Sequence, residues 1–179
     1  MIYVDDILIA SSSDDLVEEF KSLLNSHFKL KDLGNLKYFI GLEIARSKAG
    51  ISICQRKYTL DLLEEYGFLG AKPGRIPIEV NHGLTHRKDG LLQDPTHYRQ
   101  LVGNLLFLTV TRPDICYSVH VLTQFMDKLS LVHLEAAYKV LKYLKAAPGQ
   151  GLFMSAKSTL QLKAFTDSDW EVVKKQESL

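Results

Sequence analysis

Two aspartates, Asp5 and Asp6, stand side by side between two short apolar runs, Ile2-Tyr3-Val4 and Ile7-Leu8-Ile9. Runs of this composition read as β-strands, and two residues between them read as a hairpin connection. The pattern therefore predicts a hairpin whose two-residue turn is Asp5-Asp6. Adjacent carboxylates at a hairpin tip are hard oxygen donors. Mg²⁺ takes such ligands and shares its other positions with water and substrate phosphates. An ordinary turn accounts for the same residues, because aspartate tolerates turn dihedrals. A second acidic pair, Asp167 and Asp169, follows a predicted strand. Alternate residues of a strand share a face, so this pair too can hold a metal, with a solvated turn as the competing reading.

Other residues have chemistry of their own. Phe39-Ile40-Gly41-Leu42 places a glycine inside an apolar run, where it permits close approach of another backbone or marks a bulge. His82, His86, His97, His120 and His133 are scattered. His82 and His86 are four apart, but Gly83 lies between them in a predicted loop, which disfavours helical ligand geometry. Cys54 and Cys116 lack metal-ligand spacing and read as free thiols of a reducing compartment. Lys139, Lys142 and Lys145 fall on the polar side of a predicted helix and read as a solvated face, with phosphate contact as the alternative. Lys72, Arg75, Arg87, Lys88, Arg99 and Arg112 add scattered positive charge.

The frame that must position these groups is that of a globular chain. Its 179 residues are 46% hydrophobic and 24% charged, with a net charge of +1. That balance exerts no global pull on nucleic acid, so any such binding depends on local patches. The longest apolar stretches, such as Leu105-Val110, are too short to span a bilayer. The N-terminus has the features of neither a signal peptide nor a transit peptide, and localisation stays open.

Ser11-Ser12-Ser13 offers helix caps, and apolar residues from Leu16 to Phe28 recur at helical spacing, predicting a helix over 14–28. Tyr38–Ile44 reads as one strand, turned at Ala49-Gly50 into Ile51–Cys54 as a second hairpin. Tyr58–Tyr66 reads as a helix stopped by Gly67, and residues 70–95 as a loop. Asp94-Pro95, Pro113 and Ser130 each start a helix, and Pro148-Gly149 ends the last. Gly151–Met154 and Leu160–Phe165 read as two strands that begin a new sheet.

Six stretches in order, "YVDDILIA", "KDLGNLKYFIGLEI", "ISICQRKYTLDLLEEYGF", "YRQLVGNLLFLTVTRPDICYSV", "HLEAAYKVLKYLKAAPGQGL" and "AFTDSDW", together resemble the reverse transcriptase of copia-type retrotransposons. The resemblance covers nearly the whole chain up to Trp170. It implies an α+β fold made of partial polymerase palm hairpins, a helical thumb and connection, and a truncated ribonuclease H-like strand pair. The corresponding segments are residual palm over 1–55, thumb start and linker over 56–93, helical thumb and connection over 94–149, and a ribonuclease H start over 150–179. It also implies roles. Asp5 and Asp6 match the catalytic carboxylates that hold Mg²⁺. Phe39, Ile40, Gly41 and Leu42 match the hairpin that grips the primer. Asp167 matches the first ribonuclease H carboxylate, and the implied partner is an RNA/DNA primer-template, with no membrane.

The sequence departs from the pattern at both ends. The family's fingers and first palm strand, with a further catalytic aspartate, would precede this hairpin and are absent from this sequence. Glu171–Leu179 does not continue the pattern, and the remaining ribonuclease H carboxylates are missing. The expectation is a truncated polyprotein fragment, ancestrally an RNA-directed DNA polymerase and inactive alone. The alternatives are a non-catalytic nucleic-acid- or protein-binding helical module, and a partner that completes a polymerase site with another chain.

Overall fold

The computed structural model describes residues 1–86, 93–159, 161 and 164. The chain is mixed α+β, and it divides into two compact units, the first being Met1–Phe39 and the second starting at Ile40.

In the first unit, strands β1 (Ile2–Tyr3) and β2 (Asp6–Ile7) form the expected N-terminal hairpin. Ile2 pairs with Ile7 and Tyr3 with Asp6, so the connection is Val4-Asp5 and not Asp5-Asp6. The reason is the register, which is fixed further out: the Met1 ammonium donates to the Leu8 carbonyl and the Leu8 N–H to that of Met1, both at 2.8 Å. Helix α1 (Asp14–His27) follows the predicted span. Ser13 caps it by accepting the Leu16 N–H, and Asp14 and Asp15 complement the positive end of the helix dipole. Strand β3 (Tyr38–Phe39) ends the unit.

The second unit opens with strands β4 (Leu42–Ser47) and β5 (Gly50–Cys54). The single strand expected over Tyr38–Ile44 is broken at Ile40-Gly41, where both residues have positive φ, +48° and +72°. Two successive left-handed residues make the turn that suits a tight hairpin, and the apolar character of Ile40 hides it in the sequence. The next turn is Lys48-Ala49, because Ser47 pairs with Gly50 and draws that glycine into β5.

Helices α2 (Arg56–Glu65), α3 (Thr96–Leu108), α4 (Cys116–Thr123) and α5 (Leu131–Ala146) build the core. Leu63, Leu101, Leu105, Leu122, Leu141 and Leu144 are each fully buried there. Every such side chain is worth roughly 2 kcal/mol of transfer free energy. A 3₁₀ turn over Pro113–Ile115 leads into α4. The α5 start is a capping box: Ser130 receives its helix partner's N–H, while Nδ1 of buried His133 accepts the Ser130 N–H at 3.0 Å.

The segment between α2 and α3 contains no regular element among the described residues, yet it is packed down as a strap. Ile78 and Leu84 enter the core, and the Gly74 N–H donates to the Lys142 carbonyl at 2.8 Å. Of the α5 lysines, Lys139 and Lys142 are exposed, as expected of a solvated face, and all three also reach this strap. Lys145 donates to the carbonyls of Leu69 and Ala71, Lys142 lies 5.9 Å from the Phe68 ring centre, and Lys139 is 3.8 Å from Glu79.

Strand β6 (Gly151–Ser155) begins no new sheet. It pairs antiparallel with β5, Cys54 opposite Gly151 and Gly50 opposite Ser155, and so extends the β4-β5 pair after the helices. The physical reason is close backbone approach: a Cβ on Gly151 would overlap the Ile53 carbonyl, and one on Gly50 the Met154 carbonyl. Most of the second expected strand, Leu160–Phe165, lies outside the described residues.

Where the helices meet this sheet, the Arg112 side chain is buried and donates twice to Asp114, at 2.9 and 2.8 Å. Tyr143 donates its hydroxyl to the same carboxylate at 2.9 Å. The Arg112 guanidinium holds the Asp114 carboxyl below the ordinary carboxylate range. A depressed folded-state value makes a contribution that is complete above the unfolded value, near pH 4, and is lost as pH falls through the folded value. The urea midpoint of the wild type should therefore exceed that of Asp114→Asn by a constant margin at neutral pH, and the margin should shrink below about pH 4. A margin unchanged from neutral pH down to about pH 3 refutes this assignment.

Candidate functional site

The acidic hairpin tip is built by backbone geometry that its sequence resists. Val4 takes φ +49°, a left-handed conformation that β-branched residues rarely adopt. Asp5 follows it in the turn, and Asp6 opens β2 opposite Tyr3. Both carboxylates are exposed. The donor set suits Mg²⁺ in kind: hard, exposed oxygens with room for water and phosphate to complete the shell. Among the described residues, no group of three or more His, Cys, Asp or Glu side chains is arranged to hold a metal ion.

Around this hairpin the first unit exposes apolar surface. Nothing on α1 is buried, and Leu16, Phe20, Leu23 and, just past its end, Phe28 are all exposed. The polar side of the same helix is tied by Lys21, 2.7 Å from Glu18 and 2.9 Å from Asp32.

The second stretch of interest is the turn at residues 39–42. Phe39 is buried, Ile40 and Gly41 form the turn, and Leu42 starts β4. A Cβ placed on Gly41 would lie 3.6 Å from the ring of Phe107 on α3. Phe107 in turn meets Tyr58 of α2 edge-on, with ring centres 5.1 Å apart. Glu43, one residue into β4, accepts the Lys57 N–H at 2.6 Å and so caps α2 from the sheet. Asp167 and Asp169 lie outside the described residues.

Several polar residues central to the structure carry little sequence signal. Gln55, Thr111, Arg112 and His133 are all buried. Thr111 donates to Gln55 Oε1 at 2.8 Å, joining two of the quoted stretches across the unit. The only hint was their place at element ends, next to Cys54 and Pro113. The histidines serve separate local roles: His97 is 3.2 Å from the Tyr138 hydroxyl, and His86 and His133 flank the Phe125 ring.

Residues 1–80 match the family model described as reverse transcriptase (RNA-dependent DNA polymerase). The Pol polyprotein of transposon RE1 from Arabidopsis thaliana is 40% identical over 170 residues, covering 95% of this chain and 12% of the relative. That of transposon TNT 1-94 from Nicotiana tabacum is 31% identical, covering 94% of this chain and 13% of the relative. An uncharacterized mitochondrial protein of Arabidopsis thaliana is 37% identical, covering 95% of this chain and 70% of the relative. The chain thus spans about an eighth of the polyproteins and most of the mitochondrial protein. No solved structure matches it significantly.

The strain at Val4 is directly measurable. Val4 is 81% exposed, so replacing it removes little packing. Val4→Asn should relieve about 1 kcal/mol, since asparagine tolerates left-handed φ. Hydrogen exchange at Leu8 should slow accordingly; unchanged or faster exchange there rules out a strained tip.

Proposed function

Because the chain belongs to the reverse transcriptase family of copia-type retrotransposons, we propose that it is a polyprotein-derived segment carrying one corner of an RNA-directed DNA polymerase site. The observation that carries this reading is the tight Val4-Asp5 turn, which sets two exposed carboxylates at a hairpin tip inside the matched region. In this reading residues 1–55 are palm, 56–149 thumb and connection, and 150–179 the start of ribonuclease H, where Asp167 would be its first carboxylate. Asp5 and Asp6 would hold Mg²⁺, which would supply charge neutralisation and orientation for substrate phosphates. The Ile40-Gly41 turn, flanked by Phe39 and Leu42, supports the primer strand of an RNA/DNA primer-template through close backbone approach.

Asp5 and Asp6 alone do not suffice for turnover. Two-metal phosphoryl transfer needs both attacking and leaving oxygens clamped, and positioning supplies most of the rate. In the described residues no further carboxylate joins the pair. The segment alone is therefore a metal-binding but non-extending remnant.

One observation favours a second, related reading, in which another chain completes the site. Leu16, Phe20 and Leu23 of α1, with Phe28 just past its end, are exposed, and nothing on the helix is fully buried. An amphipathic helix gains most of its stability by burying its apolar face, so a complementary palm segment supplied in trans would both cover it and bring further carboxylates.

The test is primer extension on an RNA template by the purified chain, alongside Mn²⁺-induced broadening of the Asp5 and Asp6 amide resonances. The expected result is no extension and selective broadening that is absent in Asp5→Asn/Asp6→Asn. Extension by the wild type that the double variant lacks overturns the remnant reading. No broadening at all overturns the metal corner.

A further inference from the structure

The stretch Thr111-Arg112-Pro113-Asp114 was among the motifs quoted for the resemblance, and its arginine invites a role in phosphate binding. The geometry gives it another task. We infer that Arg112 is a positioning residue for the Ile40-Gly41 turn, acting through the end of the β4-β5-β6 sheet and not through contact with nucleic acid. This rests on the reading of that turn as a primer support.

Each of the three guanidinium nitrogens of Arg112 donates internally. Nε and Nη2 go to Asp114 at 2.9 and 2.8 Å, and Nη1 goes to the Ala147 carbonyl at 3.0 Å. The guanidinium also lies 5.7 Å from the Tyr143 ring centre. With its side chain 2% exposed, no face is left for a phosphate.

The partners of this cluster stand at one end of the sheet. Gln150, immediately before β6, donates to Asp114 at 3.3 Å. Gln55, immediately after β5, receives the Thr111 hydroxyl at 2.8 Å. In the sheet register, Glu43 of β4 faces Cys54 of β5, which faces Gly151 of β6. Those three residues form one row across the sheet, and the 111–114 turn pins it from both β5 and β6. The Glu43 carboxylate fastens the same row to α2 through the Lys57 N–H. Only Leu42 separates Glu43 from the Ile40-Gly41 turn, whose seat is the Phe107 ring. The turn's place over α3 is thus set by a short covalent lever whose fulcrum is the Arg112 cluster.

A bidentate fork is required for this, which separates arginine from lysine. A phosphate contact would tolerate lysine far better. The test therefore uses Arg112→Lys, with Thr111→Val as a milder variant and Phe107→Ala as the reference for an unseated turn. Two quantities are read on folded protein: the position of the Gly41 amide cross-peak, which senses the Phe107 ring current, and anisotropy of a fluorescein-labelled RNA/DNA primer-template. In Arg112→Lys, the Gly41 peak should move toward its Phe107→Ala position while the α3 core amides of Leu101 and Leu105 stay in place. Affinity for the primer-template should fall about tenfold, the scale of one backbone hydrogen bond lost at the displaced turn. An unmoved Gly41 peak in folded Arg112→Lys overturns the inference, whether affinity is kept or lost. If Arg112→Lys does not fold, Thr111→Val decides by the same peak. Failure of the wild type to bind the primer-template removes the primer-support reading, and the Gly41 peak still decides whether Arg112 positions the turn.

Discussion

The second unit is organised around a buried charge. Taking a guanidinium out of water costs several kcal/mol unless its donors are satisfied with good geometry. Here the fork meets Asp114, the third nitrogen meets the Ala147 carbonyl, and Tyr143 and Gln150 complete the carboxylate's coordination. Removing Asp114 would leave the buried guanidinium with only the Ala147 carbonyl, so the two residues stand or fall together. The members of this cluster come from the 111–114 turn, from α5 and from the link between α5 and β6. Helix bundle and sheet are therefore fixed to each other by a polar junction, while the leucine core fills the space between the helices.

This arrangement explains which parts of the fold could be read from the residues. The described helices declare themselves by apolar spacing and by caps such as Ser13 and Ser130, since both signals are local. Strand pairing is not local. Gly151–Ser155 is recognisable as a strand, but its partner lies near residue 50, and nothing in the intervening chain identifies it. The Ile40-Gly41 turn is hidden for a different reason: Ile40 accepts a left-handed φ that its branched side chain opposes, so the apolar run looks continuous. At the acidic tip the residue types were legible and their placement was off by one position, because the Met1–Leu8 hydrogen bonds set the register from outside the turn.

Charge is the property most altered between sequence and structure. Counted along the chain, the lysines of α5 and Arg112 suggest a basic surface beside the helices. In the folded unit Lys145 is occupied by strap carbonyls, Lys142 stands over Phe68, Lys139 faces Glu79, and Arg112 is withdrawn altogether. Lys57 is likewise 2.5 Å from Asp61. These cations are engaged in holding the strap, the helices and the sheet together, and they contribute less to an external field than their number implies.

That redistribution constrains how a nucleic acid could be held. Affinity built on phosphate neutralisation requires several free cations along one groove, and it declines steeply with salt. A chain of net charge +1 whose α5 lysines are each engaged by the strap is poorly suited to that mode. The features it does present are backbone at a glycine turn, seated on an aromatic ring, and carboxylates at a hairpin tip. Both lie at turns whose conformations the chain adopts against local preference. On the proposed reading, the support for one of those turns comes from the buried junction at Arg112, which ties primer recognition to the packed interior as much as to the surface.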